Sequence, residues 1–165
     1  MNQPYCLDAN VLIQAWQKYY SPKIFPGYWT FLSHLGSENR VFLSKSVFDE
    51  ITRTEDDLLE WLKQSQIPVR QVSEAVTRCL NEIFSANPLH KYLVDNTRQR
   101  SLADPWIIAH AMNEKACVVT KEEKVLTTNT TRIKIPNVCD NMGIRWVNDF
   151  QFIEELNVQF SISSK

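Results

Sequence analysis

Short, mostly apolar segments separated by helical patterns are the feature that most constrains the fold of this chain. Four segments have this character: Tyr5-Cys6-Leu7, Val41-Phe42-Leu43, Cys117-Val118-Val119-Thr120 and Ile144-Arg145-Trp146-Val147. Between them, apolar residues recur at spacings of three and four, which predicts helices. Strands that alternate with helices form a parallel sheet with right-handed crossovers and helices on both faces. The sequence therefore predicts an α/β fold with a short, mainly parallel central sheet.

The length and charge of the chain limit its domain count and its partners. Its 165 residues suit one domain with a sizeable core, which we assign to residues 1–158, followed by a tail at residues 159–165. The net charge of −1 gives no overall field for nucleic acid or anionic membranes, so a nucleic-acid partner would need a local basic rim. No GxGxxG or GxxxxGK[ST] motif is present, which argues against dinucleotide-binding and P-loop proteins.

The cysteines and the lack of membrane signals predict a cytoplasmic protein. The chain opens without the basic and apolar regions of a signal peptide, and no window is apolar enough to span a membrane. The spacings of Cys6, Cys79, Cys117 and Cys139 match no zinc motif. We therefore expect buried, reduced thiols rather than disulfides, and no membrane partner.

Acidic residues accompany three of the predicted strands. Asp8 directly follows the first, Glu50 lies in the helix after the second, and Glu122 follows the third. Asp104 opens the helix that leads into the third strand. Ligands of parallel α/β folds bind beyond the carboxyl ends of the strands, so we expect these four acids to gather at that edge.

Converging carboxylates repel each other unless they are hydrogen-bonded, paired or bound to a metal. Carboxylate oxygens are the donors that Mg²⁺ and Mn²⁺ prefer, so the pattern predicts a metal-dependent enzyme. Asn10 and Thr120 are expected to orient water or the carboxylates. No Ser/His/Asp or Cys/His constellation competes with this hypothesis.

Each acid also has a structural interpretation. Asp8 or Asp104 could cap the helix that follows it, which contributes about 1 kcal/mol. Glu50 could be a solvated helix residue, and the neighbouring Asp49 competes for its role. Glu122 could be a charge in a polar, mobile loop. The four acids together are more specific than any one of them.

Other polar and aromatic residues give weaker signals. His34, His90 and His110 have no paired spacing, so His110 is expected to be a packing or surface residue. Trp106 is expected in the core, with base stacking as the alternative. Basic residues flank the acidic segments: Lys45, Arg53, Arg98, Arg100, Lys121 and Lys124. Such charges are usually solvated surface, but here they could also bind phosphates.

At these residues the chain resembles the PIN domain, a family of metal-dependent ribonucleases. Leu7-Asp8-Ala9-Asn10-Val11-Leu12 is similar to the first motif of the family, and Val47-Phe48-Asp49-Glu50-Ile51 to the second, where Glu stands at the position of Glu50. Ala103-Asp104-Pro105-Trp106-Ile107-Ile108-Ala109-His110-Ala111 resembles the third. Val118-Val119-Thr120-Lys121-Glu122 corresponds to a strand followed by Thr-x-Asp, but this chain has Glu in the last position.

The resemblance covers about residues 4–156, and Lys134-Ile135-Pro136-Asn137-Val138-Cys139 is similar to a PIN-like subgroup of bacteria and archaea. It implies a three-layer α/β/α sandwich. It also implies an endoribonuclease that hydrolyses RNA phosphodiester bonds with Mg²⁺ or Mn²⁺ on the four acids, leaving a 5′-phosphate and a 3′-hydroxyl. Many members are the toxin half of a toxin–antitoxin pair. The expected partners are therefore an RNA substrate and a protein antitoxin, while the existence of a homodimer is left open.

Two other functions compete with the nuclease. A phosphoacceptor receiver domain also has an acidic Mg²⁺ site on an α/β fold. It needs adjacent acids after the first strand, whereas Cys6-Leu7 precede the single Asp8 here. The second alternative is a catalytically weak PIN-like scaffold that binds RNA or protein, which Glu122 in place of Asp favours.

Overall fold

The structure, a computed structural model, describes residues 3–54, 56–94, 102–127 and 131–164. Over these ranges one sheet contains five strands, and every neighbouring pair is parallel. The strands are β1 (Tyr5–Leu7), β2 (Val41–Ser44), β3 (Val69–Arg70), β4 (Cys117–Val119) and β5 (Trp146–Val147). Their order across the sheet is β3-β2-β1-β4-β5.

Helices occupy most of the chain between the strands. They are α1 (Ala9–Gln14), which continues into a π-helical turn (Ala15–Tyr19), α2 (Pro26–Ser37), α3 (Lys45–Thr54), α4 (Asp56–Gln64), α5 (Glu74–Ala86), a 3₁₀ helix (Pro88–Val94), α6 (Asp104–Glu114), α7 (Ile135–Met142) and α8 (Asp149–Glu155). Within the described ranges, no helix combines the length and apolar character that crossing a membrane requires.

The side chains of β1 show that helices cover both faces of the sheet. The Cys6 thiol lies 3.8 Å from the carbonyl oxygen of Ile107 in α6. Tyr5 packs edge-to-face on Phe152 of α8, with ring centres 4.9 Å apart. Successive residues of a strand point to opposite faces, so α6 and α8 lie on opposite sides of the sheet. The predicted three-layer α/β/α sandwich is confirmed.

Strand β3 is missing from the sequence prediction. Its two residues are too few to produce a periodic pattern, and contacts of Arg70 hold it at the sheet edge. The Arg70 Nε donates to Glu114 Oε1 at 2.8 Å, and the guanidinium lies 5.3 Å from the ring centre of Phe42.

The helix predicted after β1 changes its winding at Ala15. The Tyr20 amide donates to the Ala15 carbonyl at 2.8 Å, which is an i to i+5 bond and defines the π-helical turn. Regular helical spacing would place Tyr19 on the same face as the buried Val11 and Ala15, but its side chain is 43% exposed. A π-helical turn adds a residue to the helical repeat and so rotates the residues that follow it about the axis.

Gly36 lies in α2 where the chain leaves no room for a side chain. A Cβ at this position would lie 2.6 Å from Ile67 Cα and 2.7 Å from Gln66 O. Both are backbone atoms that cannot rotate away, so we expect Gly36→Ala to lower the free energy of unfolding by about 1–3 kcal/mol. Denaturant unfolding followed by circular dichroism measures this loss.

Gly27, in the same helix, provides a matched control. A Cβ there meets nothing within 4 Å, so Gly27→Ala should be neutral or stabilise the protein by up to about 1 kcal/mol. If Gly36→Ala were as stable as Gly27→Ala, the close approach of α2 to residues 66–67 would be wrong.

Candidate active site

The chain reverses its direction across the sheet between β1 and β4. From β1 it builds outward to β2 and β3, and later returns to place β4 on the other side of β1. The carboxyl ends of two such strands border a crevice, which is where parallel α/β folds bind their ligands. Asp8 follows β1 and Thr120 follows β4, and the Thr120 hydroxyl donates to Asp8 Oδ2 at 2.9 Å across this crevice.

Asp8 is buried, and its carboxylate does not cap a helix. The residue occupies the N-cap position of α1, but its side chain makes no capping hydrogen bond. Only 3% of Asp8 is exposed. The capping interpretation is therefore wrong for Asp8, because its side chain makes no N-cap bond; its carboxylate accepts hydrogen bonds from Thr120 and from the backbone of Ala9, and both lower its pKa.

Two further carboxylates act on Asp8. The pKa of Asp8 is raised to about 7, mainly by burial and further by the negative charges of Glu122 and Glu50, while the Thr120 hydrogen bond opposes the rise. The three acids come from segments that follow three different strands, and α3, which carries Glu50, packs against α1. The predicted gathering of acids thus brings Glu50 and Glu122 within electrostatic reach of Asp8.

The structure distinguishes Glu50 from its neighbour Asp49. Asp49 forms an ion pair with Lys45 one turn earlier, and its side chain is 41% exposed. Val47 and Ile51 face the core, and Glu50 is among the charges that raise the pKa of Asp8. Glu50 is therefore the better candidate for the site, while Asp49 is held in an ion pair on the helix surface.

Asp104 is buried at the start of α6, with 7% of the residue exposed. The capping interpretation is wrong here as well, because Ala103 occupies the N-cap position. A helix that leads into a parallel strand runs antiparallel to it, so α6 begins at the carboxyl edge of the sheet. Ile107, one turn later, contacts Cys6 of β1, which places Asp104 at the same edge as Asp8.

Glu122 is bound to α7. Its amide donates to the Thr120 hydroxyl at 3.1 Å, and its Oε2 accepts a hydrogen bond from the Ile135 amide at 2.9 Å. Ile135 is the first residue of α7, where the helix dipole favours a negative charge. This bond explains how the longer Glu side chain is used at a position where the PIN motif has Asp.

Asn137 attaches the segment after Glu122 to the same helix. Its Oδ1 accepts from the amides of Val125 at 3.1 Å and Lys134 at 3.2 Å, and its Nδ2 donates to the Val125 carbonyl at 2.8 Å. The polar composition of residues 122–132 did not predict these bonds, because they depend on a helix further along the chain. Residues 128–130 of this segment lie outside the described part.

A polar pocket of about 340 Å³ lies beside these groups. It is lined by Asn10, Gln14, Lys121, Glu122, Glu123 and Lys134. Asn10, predicted to support the site, is therefore at its solvent-exposed side. Of the four predicted acids, Glu122 is the one that lines this pocket.

Lys121 differs from its prediction as a solvated or phosphate-binding residue. Its Nζ lies 2.7 Å from Asp149 Oδ2, and the two side chains are only 13% and 6% exposed. Asp149 is absent from the sequence prediction, although it follows β5 much as Asp8 follows β1. That shared position is the signal that could have found it.

The remaining basic residues divide between ion pairs and the undescribed part of the chain. Lys45 pairs with Asp49, and Lys124 Nζ lies 2.5 Å from Asp140 Oδ2. Arg53 is exposed on α3. Arg98 and Arg100, predicted as phosphate-binding candidates, lie outside the described residues.

The histidines are not placed as metal ligands. His90 is buried, and both ring nitrogens are hydrogen-bonded. Its Nδ1 lies 2.6 Å from Ile83 O, and its Nε2 lies 3.0 Å from Asn141 Nδ2. His110 is 1% exposed, burial lowers its pKa, and within the described ranges neither ring nitrogen has a hydrogen-bond partner. His110 is thus a neutral packing residue, and Trp106 beside Asp104 is partly buried against the core.

The chemistry of the acids fits a hard divalent cation. All four are carboxylates, and burial together with the carboxylates of Glu122 and Glu50 raises the pKa of Asp8. In the described ranges, no three His, Cys, Asp or Glu residues already stand close enough together to hold a metal ion. The four carboxylates have the right chemistry for such a cation, and their side chains would have to move closer together to bind it.

A family model described as a domain of unknown function, DUF4411, matches residues 5–160. The chain belongs to the DUF4411 family. No curated protein matches this DUF4411 chain at a significant level.

Solved structures resemble the DUF4411 chain in fold. One is a chain in the crystal structure of VapBC2 from Rickettsia felis bound to a DNA fragment from their promoter. It is 21% identical, the match covers 87% of this chain and 97% of that one, and the TM-score is 0.51. A chain of FitAcB from Neisseria gonorrhoeae is 18% identical, with coverage of 88% and 98% and a TM-score of 0.47. The likeness to VapBC2 shows the fold alone, which is PIN-like.

The raised pKa of Asp8 makes the stability of the metal-free protein depend on pH. Folding raises the pKa from 3.8 to about 7, so between these values the folded state holds a proton that the unfolded state has released. The contribution of Asp8 to stability is full below about pH 4 and is lost as pH rises through about 7. From pH 5 to pH 8, the wild type should lose about 2 kcal/mol relative to Asp8→Asn, which cannot ionise.

Denaturant unfolding of both proteins in EDTA measures this difference, and the subtraction cancels the titration of other groups. A difference that stays constant from pH 5 to pH 8 would show that the Asp8 carboxylate is not held in a desolvated, acidic environment. Adding Mn²⁺ at pH 8 should stabilise the wild type and leave Asp8→Asn nearly unchanged.

Proposed function

We propose that this DUF4411 chain is a metal-dependent endoribonuclease that hydrolyses RNA phosphodiester bonds, and that it is the toxin component of a toxin–antitoxin pair. The observation that carries the proposal is the buried Asp8 at the β1–β4 crevice, with its pKa raised to about 7 by burial, Glu122 and Glu50. Strongly perturbed acids in a crevice are typical of functional sites. The PIN-like fold and the motif resemblance support the same conclusion.

In this proposal Asp8, Glu50 and Asp104 hold one or two Mg²⁺ or Mn²⁺ ions. Such a cation, when bound, supplies a lowered pKa for water and neutralises charge on the phosphate oxygens. Thr120 fixes the orientation of Asp8 through its 2.9 Å hydrogen bond, as residues behind metal ligands usually do. Asn10 lines the adjoining pocket and can orient water or RNA there.

Glu122 has a divided role in the same proposal. Its Oε2 is engaged by the Ile135 amide, so it anchors α7 and acts on the site mainly through its charge. We therefore assign it a smaller share in holding the cation than Asp8 or Asp104. Protein groups that already satisfy a carboxylate oxygen reduce its need for a cation.

The proposed substrate class follows from the accessibility of the pocket, and the proposed partner follows from the PIN resemblance. Glu122 lines an open, polar pocket, which suits a backbone that can bend into it, so single-stranded or looped RNA is favoured over a duplex. The antitoxin is proposed from the PIN resemblance. An arginine of that partner could bind the carboxylates bidentately and displace the cation.

The binding of Glu122 to α7 also favours a second candidate, a PIN-like scaffold that binds RNA or protein without cleaving it. With one acid engaged elsewhere, the site has fewer ligands for a cation. The two candidates differ in whether RNA is cut when Mn²⁺ is supplied.

The nuclease proposal predicts that two adjacent acids on α3 behave differently. Glu50→Gln should reduce Mn²⁺-dependent cleavage of a labelled RNA pool at least about 100-fold, because it removes a charge that faces Asp8. Asp49→Asn is the matched control and should cleave at nearly the wild-type rate, since Asp49 pairs with Lys45 on the surface. Initial cleavage rates at fixed Mn²⁺ measure both effects.

Asp8→Asn and Asp104→Asn belong in the same assay and should be as inactive as Glu50→Gln. Equal activity of Glu50→Gln and Asp49→Asn would remove Glu50 from the site. A wild-type protein that binds RNA but does not cleave it in Mg²⁺ or Mn²⁺ would support the scaffold.

The toxin proposal predicts a growth phenotype. Expression of the wild type alone should slow growth of the host, because RNA cleavage without an antitoxin damages the cell. Asp104→Asn should be harmless at the same protein level. Growth curves with and without co-expression of the neighbouring gene provide the measurement, and that gene should restore growth. If both proteins proved equally harmless, the chain would not be a toxin.

A further inference from the structure

We propose that Tyr19 and Phe150 form a stacking platform for a nucleobase of single-stranded RNA beside the acidic site. The inference deepens the proposed function, since it names how the substrate is held. We call these two rings, together with the ion pair that Lys121 forms with Asp149, the aromatic platform.

The rings of the aromatic platform are in contact with each other and open to solvent. Their centres are 5.9 Å apart with an angle of 78° between the planes. Tyr19 is 43% exposed and Phe150 is 53% exposed. Exposed aromatic rings are costly in water, and they are the groups on which single-stranded nucleic acids stack their bases.

The mostly buried ammonium group of Lys121 contacts both rings. Lys121 Nζ lies 4.4 Å from the ring centre of Tyr19 and 5.2 Å from that of Phe150. The same atom pairs with Asp149 at 2.7 Å, in surroundings that leave both side chains almost fully buried. Burying an ion pair gains little stability over apolar packing, so we infer that this pair serves to position the rings.

The backbone before Tyr19 is also arranged to expose it. Regular helical spacing would bury Tyr19 with Val11, Leu12 and Ala15, whereas the π-helical turn Ala15–Tyr19 rotates it out. Such turns are rare and occur often at functional sites. Two unrelated features, the π-helical turn and the buried ion pair, thus act on the same ring.

The aromatic platform adjoins the acidic site through Lys121. This residue directly precedes Glu122 and lines the same polar pocket, together with Gln14 and Lys134. A strand whose phosphodiester bond lies over the acids could therefore place a base on the rings. The pocket is also lined by Lys134, whose positive charge suits the phosphate backbone, and by the carboxylates of Glu122 and Glu123.

The size of the platform favours a base over a protein partner. Two half-exposed rings give a small apolar area, whereas stable protein interfaces need about 800 Å² from each partner. Stacking is tolerant of sequence, because every base has a flat face. The platform would thus add affinity without restricting which RNA is bound.

The test measures RNA binding apart from cleavage. A 12-nucleotide single-stranded RNA carrying 2-aminopurine is titrated with the full chain in EDTA, where metal-dependent cleavage is absent. Tyr19→Leu and Phe150→Leu should each weaken binding about 5- to 100-fold and reduce the quenching of 2-aminopurine. The dependence of affinity on salt should be unchanged, because no charge is altered.

Tyr19→Trp and Phe150→Trp should retain binding and quenching, since they keep a flat ring. Phe160→Leu is the matched control, because Phe160 is 41% exposed and packs on Tyr20 and Phe25 rather than on Lys121. Thermal unfolding verifies that each variant is folded, and the two platform positions test the proposal independently if one variant is not.

The proposal is overturned if both Leu variants bind as tightly as the wild type, if Phe160→Leu loses as much affinity as they do, or if the wild type binds no single-stranded RNA. Loss of a protein partner, with RNA binding intact, would likewise assign the rings to that partner. Cleavage is then assayed separately in Mn²⁺. If the wild type binds RNA and quenches 2-aminopurine but does not cleave RNA, the nuclease is rejected and the platform is retained. If the wild type cleaves RNA but both Leu variants bind as tightly as it does, the platform is rejected and the nuclease is retained.

Discussion

The hydrogen bond from Thr120 to Asp8 joins the two strands between which the chain reverses its direction across the sheet. A carboxylate at this position is nearly surrounded by protein, and losing its water is unfavourable unless other groups compensate. Thr120 compensates in part, while Glu50 and Glu122 increase the cost by adding negative charge nearby. Segments following β1, β2 and β4 all contribute to this electrostatic centre, so the topology of the sheet and the chemistry of the site depend on each other.

Two acids at the same edge of the sheet show how differently such a charge can be treated. Asp149 follows β5 and is neutralised by the buried Lys121. Asp8 follows β1, and the charged groups that shift its pKa are both carboxylates. A structural acid is satisfied by the protein itself, whereas an acid that works on a ligand is left in an unfavourable field until the ligand arrives. This difference is what makes Asp8, rather than Asp149, the candidate for binding a ligand in the proposed function.

The sequence predicted the layers of the fold because they depend on strongly patterned segments, and the same segments supplied the candidate acids. It could not choose between Asp49 and Glu50, since their directions depend on where α3 begins, and that is one residue after β2 ends. The π-helical turn, the Lys121–Asp149 pair and the bond from Glu122 to α7 all depend on tertiary contacts that leave no local pattern. Strand β3 was missed because two residues cannot show a period.

The same brevity of strands has a consequence for how the protein meets its neighbours. In the described part of the chain, both edges of the sheet, β3 and β5, are only two residues long. Long, flat edges invite pairing with strands of other molecules and are a common origin of aggregation. These edges offer too few free backbone groups for that, so the sheet does not grow by strand addition. Specific assembly must therefore use side-chain surfaces on the helices, where the choice of partner can be encoded residue by residue.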